Sequence, residues 1–245
     1  MVLSMQRTFL CFTLYGLSAL THALPNGFVY LHDIAPSIIE DMRYASVNNF
    51  VGKPIPGYSA PRCILTRAAA LKLQETETAA RARGYSLKVY DCYRPQRAVS
   101  AFYKWSANPN DTRMQKWFYP HEPKNTLFNK GYIAAYSGHS RGSTVDITLV
   151  NLHTKKNKKI SASSCSNQSE QLVDDNSINM GTTFDCFDKS AHVFYSGLNQ
   201  EQRNNRMLLR KLMTQNGFVP YSKEWWHFSL SNEPYPHTYF NFQVQ

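Results

Sequence analysis

Two short segments far apart in the chain restrict the fold more than anything else in it. "SGHSRGSTVDITL" (137–149) places a histidine and an aspartate seven positions apart across a Ser/Arg/Gly-rich link. "EWWHFSL" (224–230) adds a glutamate and a second histidine. A catalytic zinc takes three nitrogen or oxygen ligands from the protein and keeps its fourth position for water. His139, Asp146 and His227 would supply such a set. The strand carrying Asp146 would then lie beside the one carrying His227, with Gly142 bending the loop so that His139 turns back toward Asp146. Such a site also needs a base, and Glu224 is the carboxylate at hand. Residues three apart on a regular strand face opposite sides, so Glu224 must sit at a strand end, a bulge or a turn, near Pro220 and Lys223. Ordinary alternatives stand beside this: either histidine as a satisfied polar residue, Asp146 paired with Arg141, and Trp225 and Trp226 as core.

The first 23 residues read as a secretory signal. Arg7 supplies the positive start, "TFLCFTLYGLSAL" the apolar stretch and "THA" a small-residue cleavage site before Leu24. The apolar run is too short to span a bilayer comfortably and polar sequence follows at once, so no stable membrane insertion is expected. The expected mature protein, residues 24–245, is exported to a periplasm or secreted. It keeps four of the five cysteines, Cys63, Cys92, Cys165 and Cys186, and an oxidising compartment allows two disulfides. Three connectivities are open, and Cys63–Cys92 with Cys165–Cys186 is the favoured one. The net charge of +10 falls to +9 without residues 1–23, which hold Arg7 and no acid. No nucleic-acid motif accompanies that charge, and the lysines gather in "HTKKNKK" (153–159), a solvated loop. No nucleic-acid partner is expected; attraction to an anionic wall or membrane surface suits the charge better.

The periodicity predicts helices over 65–84, 94–106 and 199–217. The first ends at Gly84, the second starts around Pro95, and the third turns Met207, Leu208 and Leu212 inward and stops at Gly217. Strands are expected at 85–93, 143–150 and 224–230. With no regular βαβ alternation, the fold class is α+β: one domain, a small mostly antiparallel sheet flanked by helices, with the zinc site on the sheet. Residues 151–179 form a long polar insertion without clear periodicity.

Taken together, "SGHSRGSTVDITL" and "EWWHF" resemble the two signature segments of the D-alanyl-D-alanine dipeptidases, zinc metallopeptidases related to D,D-carboxypeptidases. "DMRYASVNNFVGKPIPGY" (41–58), "YDCYRPQRAV" (90–99) and "MGTTFDCFDKSAH" (180–192) are similar to further blocks of that family, in the same order. The resemblance implies one zinc held by His139, Asp146 and His227, with Glu224 as general base and acid. It implies Arg94 as stabiliser of the tetrahedral oxyanion, Asp185 as receiver of the substrate's ammonium group, and Ser137 and Tyr44 as further pocket residues. The implied reaction is hydrolysis of D-Ala-D-Ala in peptidoglycan turnover. The stretch after Asp146 is longer than the family pattern requires, and a Cys165–Cys186 bridge would pin it beside Asp185. Two other functions compete: a D,D-carboxypeptidase or endopeptidase acting on larger wall peptides, and a zinc-stabilised binding module without catalysis, which would need neither Glu224 nor Arg94.

Overall fold

A computed structural model describes residues 23–153, 164–166 and 175–245. The expected signal segment lies outside these apart from Ala23, as do most of the 151–179 insertion and its lysines. In chain order the strands are β1 (Phe28–Tyr30), β2 (Ile39–Glu40), β3 (Ile64–Thr66), β4 (Tyr85–Asp91), β5 (Thr144–Asn151), β6 (Phe218–Pro220) and β7 (His227–Leu230). The helices are the one-turn α1 (Leu31–Ile34), α2 (Arg67–Arg81), α3 (Gln96–Ser106), the one-turn α4 (Gln115–Phe118) and α5 (Gln200–Gln215). The chain is an α+β single domain, as expected, with a five-stranded sheet in the order β2-β4-β5-β7-β6. Its strands pair antiparallel except β2 with β4; β1 and β3 form a separate antiparallel pair.

The centre of the sheet is β5, buried over seven of its eight residues and alternating in character. Val145, Ile147 and Leu149 face one side, where they align with Leu87 and Val89 of β4 and Phe228 of β7. This is the apolar face, joined in one core with Ala69 and Leu73 of α2 and Leu209 and Leu212 of α5. Thr144, Asp146 and Thr148 point to the other side. Alternation on a strand buried on both faces therefore presents a carboxylate to a polar layer.

The helices form where their ends are satisfied. Thr66 caps α2 by accepting from the Ala69 N–H, and Asn199 with Gln202 makes a reciprocal capping box at the start of α5. Pro95 stands just outside α3, where its missing N–H leaves no bond unmade.

Two expectations are corrected. The inward face of α5 carries Arg206, Leu209, Leu212 and Met213, while Met207 and Leu208 are only partly covered. The helix is turned by the fully buried Arg206, whose guanidinium donates to the carbonyls of Met180 (2.7 Å), Ser190 (2.9 Å) and His192 (2.6 Å). The strand expected over 224–230 begins only at His227; Glu224–Trp226 form a turn entering it. Both favoured disulfides are present. Cys63–Cys92 ties the start of β3 to the end of β4, and Cys165–Cys186 ties the insertion to the loop before α5. No helix among the described residues is long and apolar enough to cross a membrane.

Candidate metal centre

The sheet register builds the site. Asp146 on β5 pairs with His227 on β7 and, on its other side, with Asp91 on β4, so the three stand abreast on the polar face. Asp91 reaches that row through a bulge between Val89 and Asp91, without which Tyr90 would stand opposite Asp146. His139 comes from the short helical turn Gly138–Arg141 just ahead of β5. That turn closes on Gly142 at φ +82°, and a Cβ there would collide with the Phe28 ring.

The three expected ligands converge. His139 Nε2 lies 3.3 Å from Asp146 Oδ1 and 3.4 Å from His227 Nδ1, and His227 Nδ1 lies 3.1 Å from Asp146 Oδ1. Three donors held about 2.1 Å from a zinc ion in tetrahedral directions sit about 3.4 Å apart, so the spacing is that of a zinc ligand triad. The donors are also prepared to bind. His139 Nδ1 donates to the Cys92 carbonyl at 2.8 Å, which leaves the Nε2 lone pair aimed at the cluster. Burial lowers the His227 pKa and favours the neutral ring that a metal requires. Burial opposes charge on Asp146, but the two imidazoles outweigh it and hold the carboxylate ionised.

Glu224 meets the geometric requirement read from its spacing. The turn residue's N–H donates to the Tyr221 carbonyl (3.4 Å) and its own carbonyl accepts from the His227 N–H (3.3 Å). Its carboxylate then comes back to 3.5 Å from His227 Nδ1. Burial, then Asp146 and Asp185, push this carboxyl well above its ordinary range. A divalent cation beside it would draw it back down.

Arg94 lies just after β4. Its Nε donates to Asp91 Oδ2 at 2.8 Å, a terminal nitrogen stands 3.6 Å from Asp146 Oδ2, and the guanidinium lies over the Tyr44 and Phe102 rings. The alternative partner for Asp146 is absent, because Arg141 pairs with Glu233 at 2.8 Å. Trp225 and Trp226 are core as the plain alternative held, and Trp226 also walls the pocket.

Asp185 sits on the loop between the insertion and α5, buried, in the left-handed region at φ +57°. Such a backbone costs a non-glycine residue on the order of 1 kcal/mol, least for Asp and Asn. The Tyr44 hydroxyl donates to its Oδ2 at 2.9 Å. Burial, then Asp146, raise the Asp185 carboxyl well above the ordinary value. Ser137 Oγ accepts from the His139 N–H at 3.3 Å, at the mouth of the same helical turn.

All eight expected residues line one cavity of about 400 Å³. Three carboxyl groups, Asp146, Asp185 and Glu224, face it with Arg94 as the one cation among the lining residues. Crowding and burial drive two of the three, Asp185 and Glu224, toward the protonated form, and a cation bound among them would favour their ionised form. The sequence reading missed Asp91 and Tyr58. Asp91 is fully buried and braces Arg94, accepting also from the Tyr58 hydroxyl at 2.8 Å. A carboxylate near the end of the strand-like "YSLKVYDCY", three residues before Arg94, was the available signal.

The D-Ala-D-Ala dipeptidase model of the M15 peptidases matches residues 25–163 and 154–245. A D-alanyl-D-alanine dipeptidase of Enterococcus faecalis is 41% identical over 90% of this chain and 100% of its own length. This chain belongs to the D-Ala-D-Ala dipeptidase family. A second member, from Enterococcus faecium, is 37% identical over 89% of this chain and 98% of its own length. Membership makes the chain a peptidase, and the cluster above offers its metal a donor set suited to zinc. Among solved structures the chain is similar to a mutant of the vancomycin resistance D,D-pentapeptidase VanY in complex with Zn(II). That likeness, at 16% identity and a TM-score of 0.31 over 69% of this chain and 74% of the other, is too distant to carry an argument.

Proposed function

We propose that this chain is an exported dipeptidase that hydrolyses D-alanyl-D-alanine to D-alanine in peptidoglycan turnover. The observation that carries the reading is convergence: two histidines and an aspartate at ligand spacing, a buried carboxyl group, a braced guanidinium and a second buried carboxyl group all face one small cavity. Its volume lies toward the lower end of the range for small-ligand sites, about 300–1,000 Å³, which suits a dipeptide.

His139, Asp146 and His227 would hold the zinc ion. When bound, zinc supplies Lewis acidity to water and to the scissile carbonyl. Glu224 takes the proton of the attacking water and passes it to the leaving amine nitrogen, a transfer its place beside His227 allows. Arg94 faces the oxygen on which negative charge develops, and Asp91 with the Tyr44 and Phe102 rings keeps the guanidinium from turning away. Asp185, oriented by Tyr44, receives the free ammonium group, so the site measures a dipeptide from its amino end. Ser137 lines the wall beside His139. Export is supported by two buried disulfides, which persist where the surroundings are oxidising, and by the apolar N-terminal segment.

The test is D-alanine release by the purified protein from free D-Ala-D-Ala and from a stem pentapeptide, each with and without a chelator. Chelator-sensitive turnover of the dipeptide alone is the expected result. Turnover of the pentapeptide in preference would make the chain a D,D-carboxypeptidase instead. A chain that binds zinc and turns over neither would be a binding module.

A further inference from the structure

We propose that the Cys165–Cys186 disulfide is a positioning element for Asp185, and through it sets how strongly the site recognises a free amino group. The proposal rests on the ammonium-binding role given to Asp185 above. It starts from a contrast in support: the ligand triad and Arg94 stand on or beside sheet strands, whereas Asp185 belongs to a loop with neither strand nor helix at its position. Its backbone is left-handed, a conformation a non-glycine residue keeps only where its surroundings enforce it.

Cys165 brackets that residue. Its sulfur is bonded to Cys186, the next residue in the chain, and its carbonyl accepts from the Thr183 N–H at 3.2 Å. One residue of the insertion thus grips the loop on both sides of Asp185. Both cysteines are buried. Phe184 adds a flat anchor, stacked on Tyr90 at 4.6 Å. What remains for the carboxylate itself is the hydroxyl of Tyr44. Without the bracket the Asp185 backbone can relax toward ordinary φ and swing its carboxylate away from the cavity. Glu224, Arg94 and the ligand triad do not touch the bridge, so the chemistry at the scissile bond stays in place. The loss falls on binding of the substrate's amino end.

The experiment removes the bridge in two ways, Cys165→Ala/Cys186→Val and Cys165→Ser/Cys186→Ser. It compares KM, kcat and zinc content on D-Ala-D-Ala and on its N-acetylated form. Expected is a KM for the free dipeptide raised by about tenfold or more, kcat and zinc close to wild type, and a matching fall in preference for the free over the acetylated substrate. In an Asp185→Asn background, removing the bridge should add nothing to KM, because the element it positions is gone. An unchanged KM and preference would overturn the proposal. So would a bridge-free protein that loses zinc or kcat, or that folds in neither form, since the bridge would then support the whole domain. Failure of the ammonium role itself reads out separately: the wild type would show no preference for the free amine, or Asp185→Asn would leave that preference intact.

Discussion

The cavity has two walls built in different ways. On one, Asp91, Asp146 and His227 are neighbours across three hydrogen-bonded strands, and His139 is oriented by a backbone carbonyl at the end of β4. Positions there follow from strand register, and a one-residue slip would move the whole set to the opposite face. On the other wall Asp185 hangs on a loop held mostly by side chains, a disulfide, the stacked Phe184 and the buried Arg206 bonding to carbonyls on both sides of it, with backbone bonds from Thr183 and Phe187 to neighbouring segments. The sheet wall suits groups that must meet a metal within tenths of an ångström. The loop wall suits the proposed grip of Asp185 on an amino group, where the position of one carboxylate can shift without disturbing the strands. Its outer anchor is an ionic seam in which Asp175 meets Lys88 and Arg43, both at 2.9 Å.

Mutations separate the two walls. The largest effect is expected from His139→Ala, which should abolish activity together with bound metal; a variant keeping its full zinc content by metal analysis would break the ligand assignment. Glu224→Ala should come next, lowering kcat by on the order of 10²-fold or more with zinc retained, as loss of a general base does. On the loop wall Arg206→Ala should leave the carbonyls of Met180, Ser190 and His192 without their donor and lower stability by about 3 kcal/mol, read from the shift in a urea midpoint. Its zinc affinity should stay near wild type if the two walls are independent.

The smallest effect concerns acid. Burial favours the protonated form of Asp175, but Lys88 and Arg43 outweigh it and hold the pKa at about 2. That is below the unfolded value of about 3.9, so the stabilisation is present above the unfolded value and is lost as pH falls from about 4 through about 2. The same burial lowers the Lys88 pKa and taxes its charge, which trims the net gain to about 1–2 kcal/mol. Asp175→Asn should therefore lower the urea midpoint at neutral pH and bring the two proteins together near pH 2. A difference that stayed constant with pH would remove Asp175 from the account.

Local patterns in the sequence determined a good deal: the cores of three helices and two of the strands, the even cysteine set, the residue types that converge at His139, Asp146 and His227, and the demand that Glu224 leave the regular strand. These are legible because period, capping and metal preference act over a few residues. The tertiary structure decided what depends on register and rotation. It placed Asp91 under Arg94 through a bulge that no local pattern marks. It turned α5 so that Arg206 faces inward, because three carbonyls of the loop before the helix needed a donor. It gave Arg141 to Glu233 and freed Asp146 for the imidazoles. A residue's chemistry is carried by its own letter, but its partners are chosen by the packing of segments that meet only once the chain has folded.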